Sequence, residues 1–299
     1  MAGGGWIIPL IVLAAALAGG IVVFLRGGSP KGKAADAESK AKPASSKGTG
    51  ACPALCVGRS QTIGSRSDQE DSLCYSDWHD AGEIAKYGFL AAVADGIGGL
   101  DDGQVASQAA MRVMRARFKE LPPTMKASDR LLELAACAHK EVRRVNQEGV
   151  RSGTTLVSVL ICGWDLWLLS VGDSRIYLYR SGTLLLLNRM HTFGKQVEEK
   201  RSLTGTGTPP DDKRGRALTA YLGQDNLSTM DRTTQPMRLV PGDQILLMSD
   251  GVFGTLNEDE IAAKLTGDPD ASATAIIAAV EAKGKQSQDN ASVVIISIS

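Results

Sequence analysis

The sequence predicts an α+β fold of one large domain preceded by a single transmembrane helix, and three observations carry that reading. Short runs rich in Val, Ile and Leu recur between clusters of Gly, Asp and Ser. Long amphipathic stretches interrupt those runs without alternating strictly with them, which favours separate α and β layers over a doubly wound parallel sheet. The first 26 residues hold an apolar run with no charged side chain until Arg26.

That run comes first. From Trp6 to Leu25 the chain reads WIIPLIVLAAALAGGIVVFL. At 1.5 Å per residue such a helix spans about 30 Å, the hydrocarbon thickness of a bilayer. A cleaved signal peptide is the rival reading, suggested by Ala-Leu-Ala-Gly. However, no Lys or Arg precedes the run and the run continues past that point, so residues 1–26 are expected to be an anchor. Arg26, Lys31, Lys33, Lys40, Lys42 and Lys47 follow it, whereas the preceding MAGGG has no basic residue. This asymmetry places the C-terminal bulk on the cytoplasmic side of a cell membrane. Residues 27–55 are expected to be a flexible linker, because Gly, Ser, Ala, Lys and Pro cannot offset ordering entropy by burial.

Residues 56–299 form the expected domain. Strands are predicted over 89–94, 155–162, 166–171, 175–180, 184–187, 244–248 and 292–298, all short apolar runs bounded by turn residues. Helices are predicted over 104–120, 128–147, 258–265 and 270–283, the third capped by Asn257. Residues 202–216, SLTGTGTPPDDKRGR, read as a surface loop.

Composition narrows the function. The chain carries 33 basic and 33 acidic residues, so no global field recruits nucleic acid. Five cysteines have no framework or zinc-ligand spacing, and Cys52 and Cys56 match neither a redox pair nor half a zinc site. Cys137 and Cys162 are expected in the core.

Aspartates fall at strand ends. Asp95 ends one apolar run and Asp250 another, each followed by Gly. Asp289 precedes the last run, Asp173 lies in a turn between two, and Asp71 closes the segment RSDQED. Carboxylates gathered at one sheet edge repel one another. Hard divalent cations, Mg²⁺ or Mn²⁺, remove that penalty and take carboxylate and carbonyl oxygens.

Six blocks in order complete the pattern: RSDQEDS from Arg66, VADGIGG from Val93 with DGQVAS from Asp102, SGTTL from Ser152, VGDSRIYL from Val171, MSDGVFG from Met248 and QDNASVVI from Gln288. In this the chain resembles the metal-dependent protein phosphatase 2C family, in its bacterial form, over nearly the whole folded part. The resemblance implies a two-sheet antiparallel β-sandwich flanked by helices, four layers in the order α-β-β-α. It implies two Mn²⁺ or Mg²⁺ ions, with Asp95 bridging them and the Gly96 carbonyl completing one site. Asp250 and Asp289 bind the other, and Glu70 and Asp71 contribute directly or through water. Asp173 with Asp250 offers a weaker third site, and Arg66 holds the substrate phosphate. The implied reaction is hydrolysis of phosphoserine and phosphothreonine in protein substrates by a metal-bridging hydroxide, and the substrates it suggests are those of a membrane serine/threonine kinase. The alternative is a weak or inactive membrane-tethered binding module on the same fold. One departure bears on that choice: the histidine often found soon after the Asp-Gly is missing, since Ile97 and Leu100 stand there. His79, His139 and His191 lie elsewhere.

Overall fold

Among residues 52–97, 102–147 and 152–299, which the computed structural model describes, the apolar runs become strands of two antiparallel sheets. In chain order the elements are β1 (Leu55–Thr62), β2 (Asp71–Tyr75), α1 (Ala81–Tyr87), β3 (Phe89–Asp95), α2 (Gly103–Arg117), α3 (Ala127–Gln147), β4 (Leu156–Cys162), β5 (Asp165–Val171), β6 (Arg175–Arg180), β7 (Thr183–Leu186), α4 (Phe193–Thr204), α5 (Asp212–Gly215), β8 (Asp231–Arg232), β9 (Met237–Arg238), β10 (Gln244–Met248), α6 (Asp250–Phe253), α7 (Glu258–Ala262), α8 (Pro269–Ala282) and β11 (Ala291–Ile298). One sheet runs β1-β11-β10-β6-β7 and the other β2-β3-β4-β5-β8, with β9 also pairing β5.

The strands read as unbroken apolar runs because both of their faces are covered. On β11, Val294, Ile296 and Ile298 enter the layer between the sheets with Phe89, Val93 and Val157. The alternate residues Val293 and Ile295 pack beneath α8 against Ile276, Ile277 and Val280. On the second sheet, Leu90, Leu156 and Leu160 meet Met114, Leu131 and Leu134 of α2 and α3. This is the four-layer sandwich that the six blocks imply.

Four strands, among them the two-residue β8 and β9, and four helices, α1, α4, α5 and α6, escaped the sequence reading, the longer of them for want of an apolar run or face. β1 and β2 are edge strands whose polar and apolar residues mix, so no apolar run marks them. Helix α1 buries only Ile84, and α4 buries no residue at all. The loop expected over 202–216 is shorter than predicted. Helix α4 continues to Thr204, ends on Gly205 in the left-handed region, and α5 takes up Asp212–Gly215. Cys137 and Cys162 are half-buried instead of central, and Cys74 is the buried cysteine. The expected membrane segment, most of the linker, and Leu100 lie outside the described residues. No helix among the described residues is long and apolar enough to cross a membrane.

Candidate metal centre

Antiparallel order brings the acids together. The end of β1, the start of β2, the end of β3, the start of β4, the β5–β6 turn, the end of β10 and the start of β11 all lie at one end of the sandwich. There a cleft of about 410 Å³ is lined by Arg66, Glu70, Asp95, Asp173, Asp250 and Asp289, with the Gly96 backbone at its floor. Of the predicted site residues only Asp71 stays off the cleft surface. It is buried just behind it, paired in register with Asp95 across β2 and β3.

Local hydrogen bonds fix each acid. The Asp95 N–H donates to the Thr155 hydroxyl at 3.0 Å, and the Thr154 hydroxyl donates to the Asp95 carbonyl at 2.9 Å. The hydroxyls of Ser249 and Ser292 both donate to Asp71 Oδ2 at 2.6 Å. Glu70 is set by Asn290, whose side-chain oxygen accepts the Glu70 N–H at 2.7 Å. The Asn290 amide in turn donates to the carbonyls of Ile63 and Asp68 at 2.8 and 3.0 Å. A Cβ on Gly96 would stand 2.4 Å from the Gly103 carbonyl oxygen, and one on Gly251 would stand 2.0 Å from that of Asn290. Glycine after each Asp is therefore a packing requirement.

The electrostatics are those of crowded carboxylates. Burial first, then Asp71, Asp250, Asp173 and Asp289, holds Asp95 well above the usual carboxylate range. Burial, then Asp173, Asp289 and Asp71, pushes Asp250 up to about 7, with a hydrogen bond to Asp95 opposing. Burial raises Asp71 to about 6 despite the two serines. Asp173 and Glu70 are raised as well, chiefly by burial, and Arg66 partly offsets this for Glu70.

Arg66 supplies the positive charge. Its Nη2 donates to Asp289 at 2.7 Å, and Nη1 lies 4.0 Å from Glu70. The side chain keeps nearly half its surface exposed, 45%, so further guanidinium N–H groups remain free to face the cleft. Sequence reasoning missed a second cation, Arg216, and with it Tyr221, which line the same cleft from the segment after α5. That segment is tied to the rim where Leu222 and Thr154 exchange backbone hydrogen bonds of 2.8 and 3.2 Å. Its breaker-rich composition gave no signal of this.

The histidines are placed away from the chemistry. His191 is buried, and its Nδ1 accepts the Gly172 N–H at 3.0 Å. Its Nε2 lies 3.4 Å from Asp231 Oδ2 without hydrogen-bond alignment. It steadies the turn that carries Asp173. His139 accepts the Gly223 N–H, and His79 is exposed against Trp78.

The donor set suits hard divalent cations. Among the described residues no three acidic, histidine or cysteine side chains already close on one point as an ion cage. The carboxylates are nevertheless near enough to raise one another's pKa, the spacing expected of repelling groups around a shared cleft. Asp71 Oδ1 is buried with no hydrogen-bond partner. An orphaned carboxylate oxygen beside acids that resist ionisation is what a cation would satisfy.

Comparison with known proteins gives the same picture. A family model described as Protein phosphatase 2C matches residues 63–279. The serine/threonine phosphatase Stp of Listeria welshimeri is 27% identical over 217 residues, 69% of this chain and 83% of that protein. The serine/threonine protein phosphatase PstP of Mycobacterium tuberculosis is 31% identical over 180 residues, 58% of this chain and 33% of that longer protein. A crystal structure of a PstP catalytic domain in complex with two manganese ions superposes with a TM-score of 0.65 at 25% identity, covering 82% of this chain and 98% of that domain.

Proposed function

The chain belongs to the protein phosphatase 2C family, and from that membership we propose that it is a metal-dependent protein serine/threonine phosphatase acting in the cleft of Asp95, Asp250 and Asp289. The observation that carries this reading is the convergence of those carboxylates with Arg66 at one end of the sandwich. Asp95, the Gly96 carbonyl, Asp250 and Asp289 would hold two Mn²⁺ or Mg²⁺ ions, with Glu70 and Asp71 behind them and Asp173 beside Asp250. When bound, such ions lower the pKa of a coordinated water and offset charge on the phosphoryl oxygens.

The chain's own residues do the rest. Arg66 donates parallel N–H groups to two oxygens of the substrate phosphate. Asp289 holds that guanidinium over the cleft, fixing the phosphate's orientation before attack. Arg216 lines the same cleft and adds a second positive group where negative charge collects. Among the described residues no imidazole reaches the cleft, and Ile97 lines it instead. The proton for the departing serine or threonine oxygen would then come from a water molecule in the cleft.

Hydrolysis of phosphoserine and phosphothreonine peptides by the purified chain, with Mn²⁺ and then with chelator, tests the proposal. Metal-dependent phosphate release that Asp95→Asn removes is expected. Turnover that survives chelator, or that the variant leaves intact, would refute it, and small esters hydrolysed in preference to peptides would redefine the substrate. The proposal extends to location. The charge-free run from Trp6 to Leu25 with basic residues after it supports a single-pass anchor holding the domain at the cytoplasmic face. Protease protection in sealed inverted vesicles tests that. A domain shielded from protease there would overturn it.

A further inference from the structure

A second cavity, about 560 Å³, opens where β2 forms the free edge of its sheet. The ladder with β3 is bracketed by Gly96 N–H to the Glu70 carbonyl at 3.1 Å and Ser76 N–H to the Leu90 carbonyl at 2.9 Å. Even-numbered residues therefore bond inward, and Asp71, Leu73 and Tyr75 turn their backbone groups outward. The Asp71 N–H is taken by the Gln69 side chain at 3.1 Å. Leu73 and Tyr75 have no outward partner among the described residues.

The walls of this groove are basic. Arg59 of β1 stands on one side, over the Tyr75 ring at 5.4 Å. Arg112 and Arg115 of α2 stand on the other, one helical turn apart. Arg112 reaches Glu141 only at 3.7 Å and keeps 63% of its side chain exposed. Arg115 has no hydrogen-bond or ion-pair partner among the described residues. Among the described residues the only acid lining the cavity is the buried Asp71.

We infer that this groove docks an extended acidic peptide segment of a partner protein, which adds a strand to the outer edge of β2 and pairs the carboxylates of one of its faces with Arg112 and Arg115. Strand addition supplies the main-chain hydrogen bonds that Leu73 and Tyr75 leave open, and alternate side chains of the added strand fall toward one wall. Arginine forks suit oxyanions on those side chains. Charge decides the occupant. The chain's own residues 27–50 carry five lysines against Asp36 and Glu38, so that segment would be repelled. The groove is distinct from the cleft, and the inference does not depend on the catalytic reading. The plainer account is that the arginines only guard a sheet edge from unwanted pairing.

Fluorescence anisotropy with the full chain separates these accounts. The probe is a labelled peptide of alternating Glu and Val, with a Lys–Val peptide and a copy methylated on alternate backbone nitrogens as controls. The Glu–Val peptide alone should bind. Arg112→Gln with Arg115→Gln should raise its Kd roughly tenfold, since each exposed Arg–carboxylate pair contributes up to about 1 kcal/mol. Hydrolysis of a chromogenic phosphate ester should be the same in that variant as in the unmodified protein. Equal affinity for the variant, tight binding of the methylated peptide, or no binding of the Glu–Val peptide overturns the inference. If the ester is not hydrolysed at all, the phosphatase proposal fails while the binding result still decides the docking site.

Discussion

Asp250→Asn should stabilise the metal-free protein while abolishing its catalysis, a combination that a purely structural aspartate would not give. In the folded chain burial and neighbouring carboxylates raise Asp250 from 3.8 to about 7. Its folded-state pKa lies above the unfolded one, so the neutral form's contribution to stability is complete below the unfolded value and is lost as pH rises through about 7. At about 1.4 kcal/mol per pKa unit, full ionisation costs the fold about 4 kcal/mol. For a fold of this size that corresponds to roughly 10 °C in Tm. The assay is thermal unfolding in chelator between about pH 5 and pH 8. The unmodified protein should lose stability across that range, Asp71 adding to the loss as it passes its own value of about 6. Asp250→Asn should flatten the curve and melt higher at its alkaline end, and Mn²⁺ should restore the unmodified protein far more than the variant. A flat curve for the unmodified protein, or a variant that melts lower at the alkaline end, would refute the argument from crowded charge.

Three further outcomes follow from the geometry. Gly96→Ala forces a methyl to 2.4 Å from the Gly103 carbonyl oxygen, which should displace the start of α2 and cost about 2–3 kcal/mol in denaturant unfolding. Burial, with Arg143, lowers the pKa of His139 from 6.5. For a base this means that stability is complete above about pH 6.5 and falls as pH drops through the folded value, so His139→Gln should blunt the acid limb of a stability–pH curve. Arg216→Gln should raise KM for phosphopeptides roughly tenfold, as expected for one lost charged contact at a substrate phosphate. It should leave the fold's melting temperature unchanged, because the side chain is exposed and makes only a 3.3 Å bond to the Asp212 carbonyl.

Legibility in the sequence tracked burial. Strands such as β10 and β11 are covered on both faces, and their unbroken Val, Ile and Leu runs mark them to within a residue. The edge strands β1 and β2 mix polar with apolar residues, and the surface helices α1 and α4 bury one residue or none, so periodicity had little to register. The acids were legible for a different reason: an Asp directly beside an apolar run contradicts its surroundings, and the contradiction repeats at Asp95, Asp250 and Asp289. Arg216 was illegible because its place in the cleft comes from a polar segment held by tertiary backbone bonds, which no local pattern encodes.

The two oxygens of Asp71 sharpen the distinction between a structural acid and one kept for a ligand. A buried carboxylate that serves only the fold is expected to have both oxygens satisfied, because each unpaired polar atom costs the native state. Here Oδ2 receives two short hydroxyl bonds from Ser249 and Ser292, which orient the group rigidly. Oδ1, equally buried, receives none. The uneven division leaves one buried acceptor of this carboxylate without a partner. Asn290 repeats the logic one layer out: it commits its amide to the loop carrying Arg66 and Glu70 and takes up neither of their charged ends. Ser249, Asn290 and Ser292 thus hold the loops and orient Asp71, while burial and mutual repulsion leave Asp95 and Asp250 resistant to ionisation, a cost to the fold that cations entering the cleft would offset.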